Sequence, residues 1–253
     1  MEPIWLQIAV PQMHKETLVM LPGMMCDRRL FEPQISALGQ YCNIIVPLLD
    51  APASIEGMAQ KILNEIEVPT FNLLGLSMGG IVAMHMVGIA PQRVRRLALL
   101  DTNHQAGSSE RSAIRNRQIA DVKEGRLRQI ILNEMKSNYL AQANRKNVAL
   151  LELLMTMALD LGDEMFINQS LALRDRGDQT QALRRYHGTT LILCGDEDRL
   201  CLPSLHAEMA ELLAHSTYRK IKDCGHIATL EQPNEVISEL KNWLNLTAKT
   251  TRK

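Results

Sequence analysis

The sequence predicts an α/β protein, a mostly parallel β-sheet with helices on both faces and a block of helices inserted between two strands. Three observations lead there. Short apolar runs of strand length alternate with segments of helical spacing, the rhythm of strands joined by crossover helices. That rhythm stops after Asp101 and resumes at Thr190, and the stretch between carries helical spacing alone. A chain of 253 residues that is 46% hydrophobic is long and apolar enough to bury a substantial core.

In chain order, Thr17–Leu21 is a strand stopped by Pro22-Gly23, and Asn43–Val46 is a second strand stopped by Pro47. Ser54 offers a side-chain oxygen to cap a helix from Ile55 to about Glu67. Phe71–Leu76 reads as a buried strand, Ile81 to Ala90 as the helix that follows it, and Val94–Leu100 as the next strand. Beyond Asp101, helical spacing covers Arg111–Lys123, Leu127–Met135, Val148–Leu161 and Met165–Leu173. Val148, Leu151, Leu154, Met155 and Leu159 would line one side of their helix. A connection this long is no plain loop and predicts a small helical subdomain. Thr190–Cys194 resumes the sheet, and Thr217–Lys222 is polar and alternating, as an edge strand should be. A last helix from Asn234 to Leu246 and a frayed tail from Thr247 to Lys253 complete the chain.

Composition removes several classes of function. A formal net charge of zero argues against an electrostatic nucleic-acid binder, and aromatic residues at 4% leave few platforms for base stacking. The five cysteines, Cys26, Cys42, Cys194, Cys201 and Cys224, contain no C-x-x-C pair, so neither a zinc site nor a redox pair is indicated. They read as reduced thiols of a cytoplasmic protein. The start, Met1-Glu2-Pro3-Ile4-Trp5, has no signal-peptide pattern, and no apolar run approaches the ~20 residues of a membrane span.

The chemistry concentrates in Gly75-Leu76-Ser77-Met78-Gly79, one serine between two glycines where a strand turns into a helix. So sharp a turn requires a positive φ at Ser77. Side chains two residues before and after would then collide, so both positions must be very small. The turn lifts Oγ clear of the backbone beside the positive end of a helix. A serine hydroxyl needs a base to take its proton. Among seven histidines, His226 in Asp223-Cys224-Gly225-His226 follows the edge strand and is best placed for that. His85 reads as packed, His187, His206 and His215 as solvated, and His14 and His104 as loop residues. A carboxylate must hold the imidazole, and Asp198, in Gly195-Asp196-Glu197-Asp198 at a strand end, fits. Asp101 ends the preceding strand and competes with it. Backbone N–H groups of Met78, at the helix start, and Met24, after Leu21-Pro22-Gly23, would meet the oxyanion.

Leu-Pro-Gly-Met-Met-Cys-Asp, Gly-Leu-Ser-Met-Gly-Gly and Gly-His-Ile-Ala-Thr-Leu-Glu-Gln-Pro together resemble the α/β-hydrolase superfamily, in particular its small capped esterase and enol-lactonase-like members. The resemblance implies the α/β-hydrolase fold with a helical cap inserted after the sixth strand. It implies Ser77 as nucleophile, Asp198 as acid and His226 as base, with Met24 and Met78 as the oxyanion hole. Two departures stand out. Many relatives carry His-Gly where this chain has Pro22-Gly23, and the usual glycine-rich loop after the second strand shrinks to Pro47-Leu48-Leu49-Asp50-Ala51-Pro52.

The expectation is a serine hydrolase that cleaves a small ester, lactone or thioester through an acyl-enzyme on Ser77. No cofactor, metal, nucleic-acid or membrane partner is implied, and the sequence is silent on oligomeric state. Transfer of the acyl group to another acceptor, or carbon–carbon bond hydrolysis, uses the same three residues. A non-catalytic ligand receptor is the remaining class. Residues 1–106 and 187–253 would form the core, and 107–186 the cap that roofs the site. Leu154, Met155 and Met157 are the cap positions expected either to wall the opening above Ser77 or to be buried between cap helices.

Overall fold

The computed structural model describes residues 15–135 and 138–246. His14, the chain start and the tail expected from Thr247 lie outside these residues. Six strands, β1 (Glu16–Leu21), β2 (Cys42–Ile45), β3 (Phe71–Leu76), β4 (Val94–Leu100), β5 (Thr189–Gly195) and β6 (Ser216–Ile221), form one all-parallel sheet in the order β2-β1-β3-β4-β5-β6. The chain runs from β1 to one side and then returns to place β3 on the other. The gap between the carboxyl ends of β1 and β3 is therefore the point where the winding reverses, the usual crevice for a ligand in such sheets.

The period-2 pattern of buried strands assigns one set of side chains to each face. Val19, Leu21, Leu73, Leu97, Leu99 and Ile192 pack on the face covered by α2 (Ile55–Glu65) and α3 (Met78–Ile89). Leu18, Met20, Leu74, Leu76, Leu100 and Leu193 pack on the face covered by α1 (Glu32–Leu38) and α10 (Pro233–Trp243). Ser54 caps α2 as its sequence suggests, accepting from the Gly57 N–H at 3.0 Å. β6 alternates exposed and half-buried residues at the sheet edge, as expected. The last helix stops at Trp243, three residues before the expected Leu246.

Between β4 and β5 lie α4 (Ser109–Lys123), the short α5 (Leu127–Ile130) continued by a π-helical turn over Ile131–Met135, α6 (Val148–Arg174) and α7 (Thr180–Arg185). Among the described residues, the insertion leaves the sheet after the fourth strand, β4. The two helices expected across 148–173 are one element broken at Gly162, whose φ of 76° and ψ of −178° are non-helical. The predicted stripe on α6 also needs correction. Val148 is 64% exposed, and the buried set is Leu150, Leu154, Met155, Met157 and Ala158, so the inward face starts two residues later. α8 (Pro203–Leu212) and α9 (Ala228–Glu231) follow β5 and β6. No helix among the described residues is long and apolar enough to cross a membrane.

Candidate active site

Because every strand is parallel, the loops after β1, β3, β4, β5 and β6 all open on one edge of the sheet, and the residues singled out in the sequence lie on those loops. Ser77 joins β3 directly to α3 with φ 54° and ψ −116°. That backbone is strained for a residue with a side chain, and the surroundings hold it. The Ser77 N–H donates to the Leu100 carbonyl at 2.9 Å, and the Ser77 carbonyl accepts from the Thr102 hydroxyl at 2.7 Å. A Cβ on Gly75 would run into the Gly79 backbone, and one on Gly79 into the Leu21 carbonyl, so the tight turn admits only glycine at both positions.

Three loops bring Ser77, His226 and Asp198 together. The Ser77 hydroxyl lies 2.8 Å from His226 Nε2, and His226 Nδ1 lies 2.9 Å from Asp198 Oδ2. With Nδ1–H donating to the carboxylate, Nε2 is free to accept the serine proton. The other Asp198 oxygen accepts the Leu200 and Cys201 N–H groups at 2.8 and 3.0 Å. Burial pushes the Asp198 carboxyl upward, but the charge and hydrogen bond of His226 and those two N–H groups hold it below its ordinary range. The His226 N–H donates to the Tyr139 carbonyl at 2.7 Å, and the two rings pack 5.6 Å apart. Glu231 draws the same loop against the insertion, accepting from the Gly225 N–H at 2.8 Å and from the Ala141 N–H at 2.8 Å.

Asp101 makes no hydrogen bond to the imidazole. Its two oxygens accept the N–H groups of Gly195 at 3.1 Å and Ala228 at 3.0 Å, tying the ends of β4 and β5 to the start of α9. Burial, and then the charge of Asp198, push its carboxyl well above the usual range. Met78 is the first residue of α3, so its N–H has no intrahelical acceptor. Met24 sits in the turn closed by the Cys26 N–H and the Gly23 carbonyl at 3.1 Å. Pro22 can offer this turn neither an N–H nor an imidazole. Gln169 of α6, 1% exposed, holds it instead: Oε1 accepts from the Met25 N–H at 2.8 Å, while Nε2 donates to the Leu49 carbonyl at 2.9 Å. Nothing local in the sequence marks Gln169, since its partners lie 144 and 120 residues away.

His206 is buried rather than solvated. Its Nε2 accepts the Thr102 N–H at 2.9 Å and its Nδ1 donates to the Leu202 carbonyl at 3.2 Å, which fixes the neutral tautomer. Burial drops its pKa to about 4. Unfolding restores a value of about 6.5, so the unfolded chain binds more protons between these limits and stability falls as pH drops through them. Wild type should lose about 2 kcal/mol from this source by about pH 5. Urea midpoints of wild type and His206→Gln at about pH 7.5 and pH 5 check this, since glutamine can keep both hydrogen bonds without titrating in this range. The pH-dependent loss should shrink in the variant.

One group of metal-type donors occurs among the described residues, Asp198, Cys201 and His226, with ligand atoms within 4.8 Å of one another. Each is already committed. Asp198 and His226 bond to each other, and the Cys201 sulfur accepts from Asn103 at 3.3 Å while burial pushes its thiol up to about 12.

Ser77, His226, Met24 and Met78 open onto a cavity of about 670 Å³. Its far wall comes from the insertion: Arg111, Ile114 and Arg115 of α4, Met135, Tyr139 and Leu173. Leu154, Met155 and Met157 are not part of that wall; they are packed inside, at 3%, 9% and 0% exposure. A family model described as alpha/beta hydrolase fold matches residues 48–233. The chain belongs to the α/β-hydrolase family. Among solved structures it is similar to a thermophilic esterase from Thermogutta terrifontis, with 26% identity, a TM-score of 0.83, and 93% of this chain and 92% of that chain covered. An enol-lactonase from Burkholderia xenovorans LB400 shares the fold at a TM-score of 0.79, with 19% identity and 91% and 92% of the two chains covered. A curated relative, the dihydrolipoyllysine-residue acetyltransferase component of the acetoin cleaving system of Pseudomonas putida, is 27% identical over 188 residues, 72% of this chain. The chain spans about half the length of that relative, with 48% of it covered.

Proposed function

We propose that this α/β-hydrolase cleaves a small ester, lactone or thioester through an acyl-enzyme on Ser77. The observation that carries the reading is the continuous hydrogen-bonded chain from the Ser77 hydroxyl through His226 to Asp198, ending on the floor of the cavity. In this reading Oγ attacks the substrate carbonyl carbon while His226 Nε2 takes its proton. Asp198 holds the ring in the productive tautomer and stabilises the imidazolium that forms. The carbonyl oxygen becomes an oxyanion, met by the N–H groups of Met24 and Met78, a geometry whose loss typically costs about 10²–10³ in kcat per donor. The tetrahedral adduct collapses, the carbonyl–leaving-group bond breaks, and the leaving group receives the proton from His226. Water, activated by the same imidazole, then hydrolyses the Ser77 ester.

Residues 107–186 act as the cap of this site. They supply most of the far wall and shield the reacting carbonyl from bulk water. The chain's five cysteines are all buried free thiols, which supports a reducing, cytoplasmic setting.

The test is a panel of small esters, lactones and thioesters assayed with wild type and Ser77→Ala in parallel, with products identified in the presence of competing alcohol, thiol and peroxide acceptors. Turnover of one class by wild type, lost in the variant, with the free acid as product, is expected. Turnover that survives Ser77→Ala removes the acyl-enzyme, and a product acylated on the acceptor in preference to water makes the protein a transferase.

A further inference from the structure

Arg111, Arg115 and Arg176 face the cavity above Ser77. None of the three is in an ion pair among the described residues. Arg117, which also borders the cavity, is neutralised by Glu134 and Asp121, while Arg126 pairs with Asp121 and Arg174 with Asp175. Glu110 stands exposed at the mouth and makes no ion pair with the three.

The contacts the three do make are weak or neutral. Arg115 Nη1 donates to the Met24 sulfur at 3.5 Å, Arg111 Nη2 to the Leu200 carbonyl at 3.2 Å, and Arg176 through Nε to the Gln105 carbonyl at 2.9 Å and through Nη1 to the Leu173 carbonyl at 3.4 Å. Each guanidinium has more N–H donors than these contacts use. Arg176 is 8% exposed and Arg115 half-buried, so two like charges sit largely out of water. Burial first, then the neighbouring charges of Arg176 and Arg111, push the Arg115 guanidinium down to about 10. Burying charge without a counter-ion is unfavourable, and a chain retains such an arrangement where something else supplies the opposite charge.

Resting on the acyl-enzyme reading above, we infer that the substrate is an anion: an ester, lactone or thioester that carries a carboxylate, held by Arg115 and Arg176 with Arg111 at the entrance. The planar guanidinium fork matches a carboxylate in two parallel hydrogen bonds, which would orient the substrate as well as attract it. Arg115 touches the side chain of Met24, whose N–H faces the developing oxyanion in this reading, so the bound carboxylate and the reacting carbonyl would be close neighbours.

Two matched pairs of probes test this on the whole chain. Mono-4-nitrophenyl glutarate against 4-nitrophenyl pentanoate places the charge on the acyl side. 4-Acetoxybenzoate against 4-acetoxybenzamide places it on the leaving-group side. In at least one pair the anion should exceed its neutral partner in kcat/KM by about tenfold or more, the scale of one charged hydrogen bond. That ratio should collapse toward unity in Arg115→Gln, with Arg115→Lys keeping part of it. Calorimetry of the same probes on Ser77→Ala reads the preference without turnover, so it tests the arginines even if wild type hydrolyses none of the four. Neutral probes bound and turned over as well as anions in both pairs would overturn the inference while leaving the acyl-enzyme intact. Anion binding without any Ser77-dependent turnover would do the reverse. Should Arg115→Gln fail to fold, Arg111→Gln, on an exposed residue, carries the same comparison with a smaller drop.

Discussion

Ser77→Ala is expected to lower kcat by about 10⁴-fold or more on whichever substrate the panel identifies, because the three hydrogen-bonded residues act as a unit. The fold should survive. Among the described residues the Ser77 hydroxyl bonds only to His226, whereas the strained turn is held by the Ser77 backbone, through the Leu100 carbonyl and the Thr102 hydroxyl, and these bonds do not involve the side chain. Steady-state kinetics and thermal melting of the purified variant check both parts. A loss of activity matched by a lowered melting temperature would mean that the hydroxyl is structural. Residual activity within tenfold of wild type would move the chemistry elsewhere.

Asp198→Asn should cost about 10⁴ in kcat with little change in structure. An amide in that place can donate to Nδ1 and so hold the imidazole with its proton on Nε2, where it cannot accept one from Ser77. Asp101→Asn should behave in the opposite way. Its two oxygens accept backbone N–H groups from Gly195 and Ala228, and an amide nitrogen facing either donor leaves that N–H unpaired in the interior. The expected result is a loss of about 1–3 kcal/mol in stability with a much smaller loss in kcat. Denaturant titration beside kinetics for the two variants separates these outcomes. If Asp101→Asn proves the more damaging to kcat in a folded protein, the carboxylate that serves His226 is not Asp198.

How much of this could be read from the residues alone follows a physical line. Strand β3 and the turn at Ser77 were legible because the constraint is local: only glycine fits two positions either side of a residue held at φ 54°. Strand β4 was legible because Leu97–Leu100 is a continuous apolar run, as a segment buried on both faces of a parallel sheet should be, with Arg95 and Arg96 confined to its more exposed start. Asp101 and Asp198 both end apolar strands and look alike in sequence. What separates them is which backbone donors and which imidazole the packed sheet brings to each, and that is tertiary. His206 misled for the same reason, since its burial depends on the Thr102 N–H 104 residues away.

The insertion was legible as helices but not as a binding surface. The inward face of α6 begins at Leu150 and not Val148, and of the two places open to Leu154, Met155 and Met157, the cavity wall or the interior, the packing gives them the interior. The wall sets Arg111 and Arg115 beside the apolar Ile114, Met135 and Leu173. Arg111 and Arg115 stand one turn apart on the face of α4 that Gln118 and Val122 continue into the interior, and arginine at the head of an inward face was the available signal. Reading it required knowing that, among the described residues, no carboxylate folds back to pair with them.

The most direct test of the account is where a mechanism-based probe attaches. A fluorophosphonate reacts with a serine whose proton is taken by a neighbouring base, and peptide mapping by mass spectrometry locates the adduct. The account predicts one adduct per chain, on Ser77, abolished in His226→Gln. An adduct on Ser54, Ser108 or Ser204, or none on a sample whose melting shows it to be folded, would contradict it.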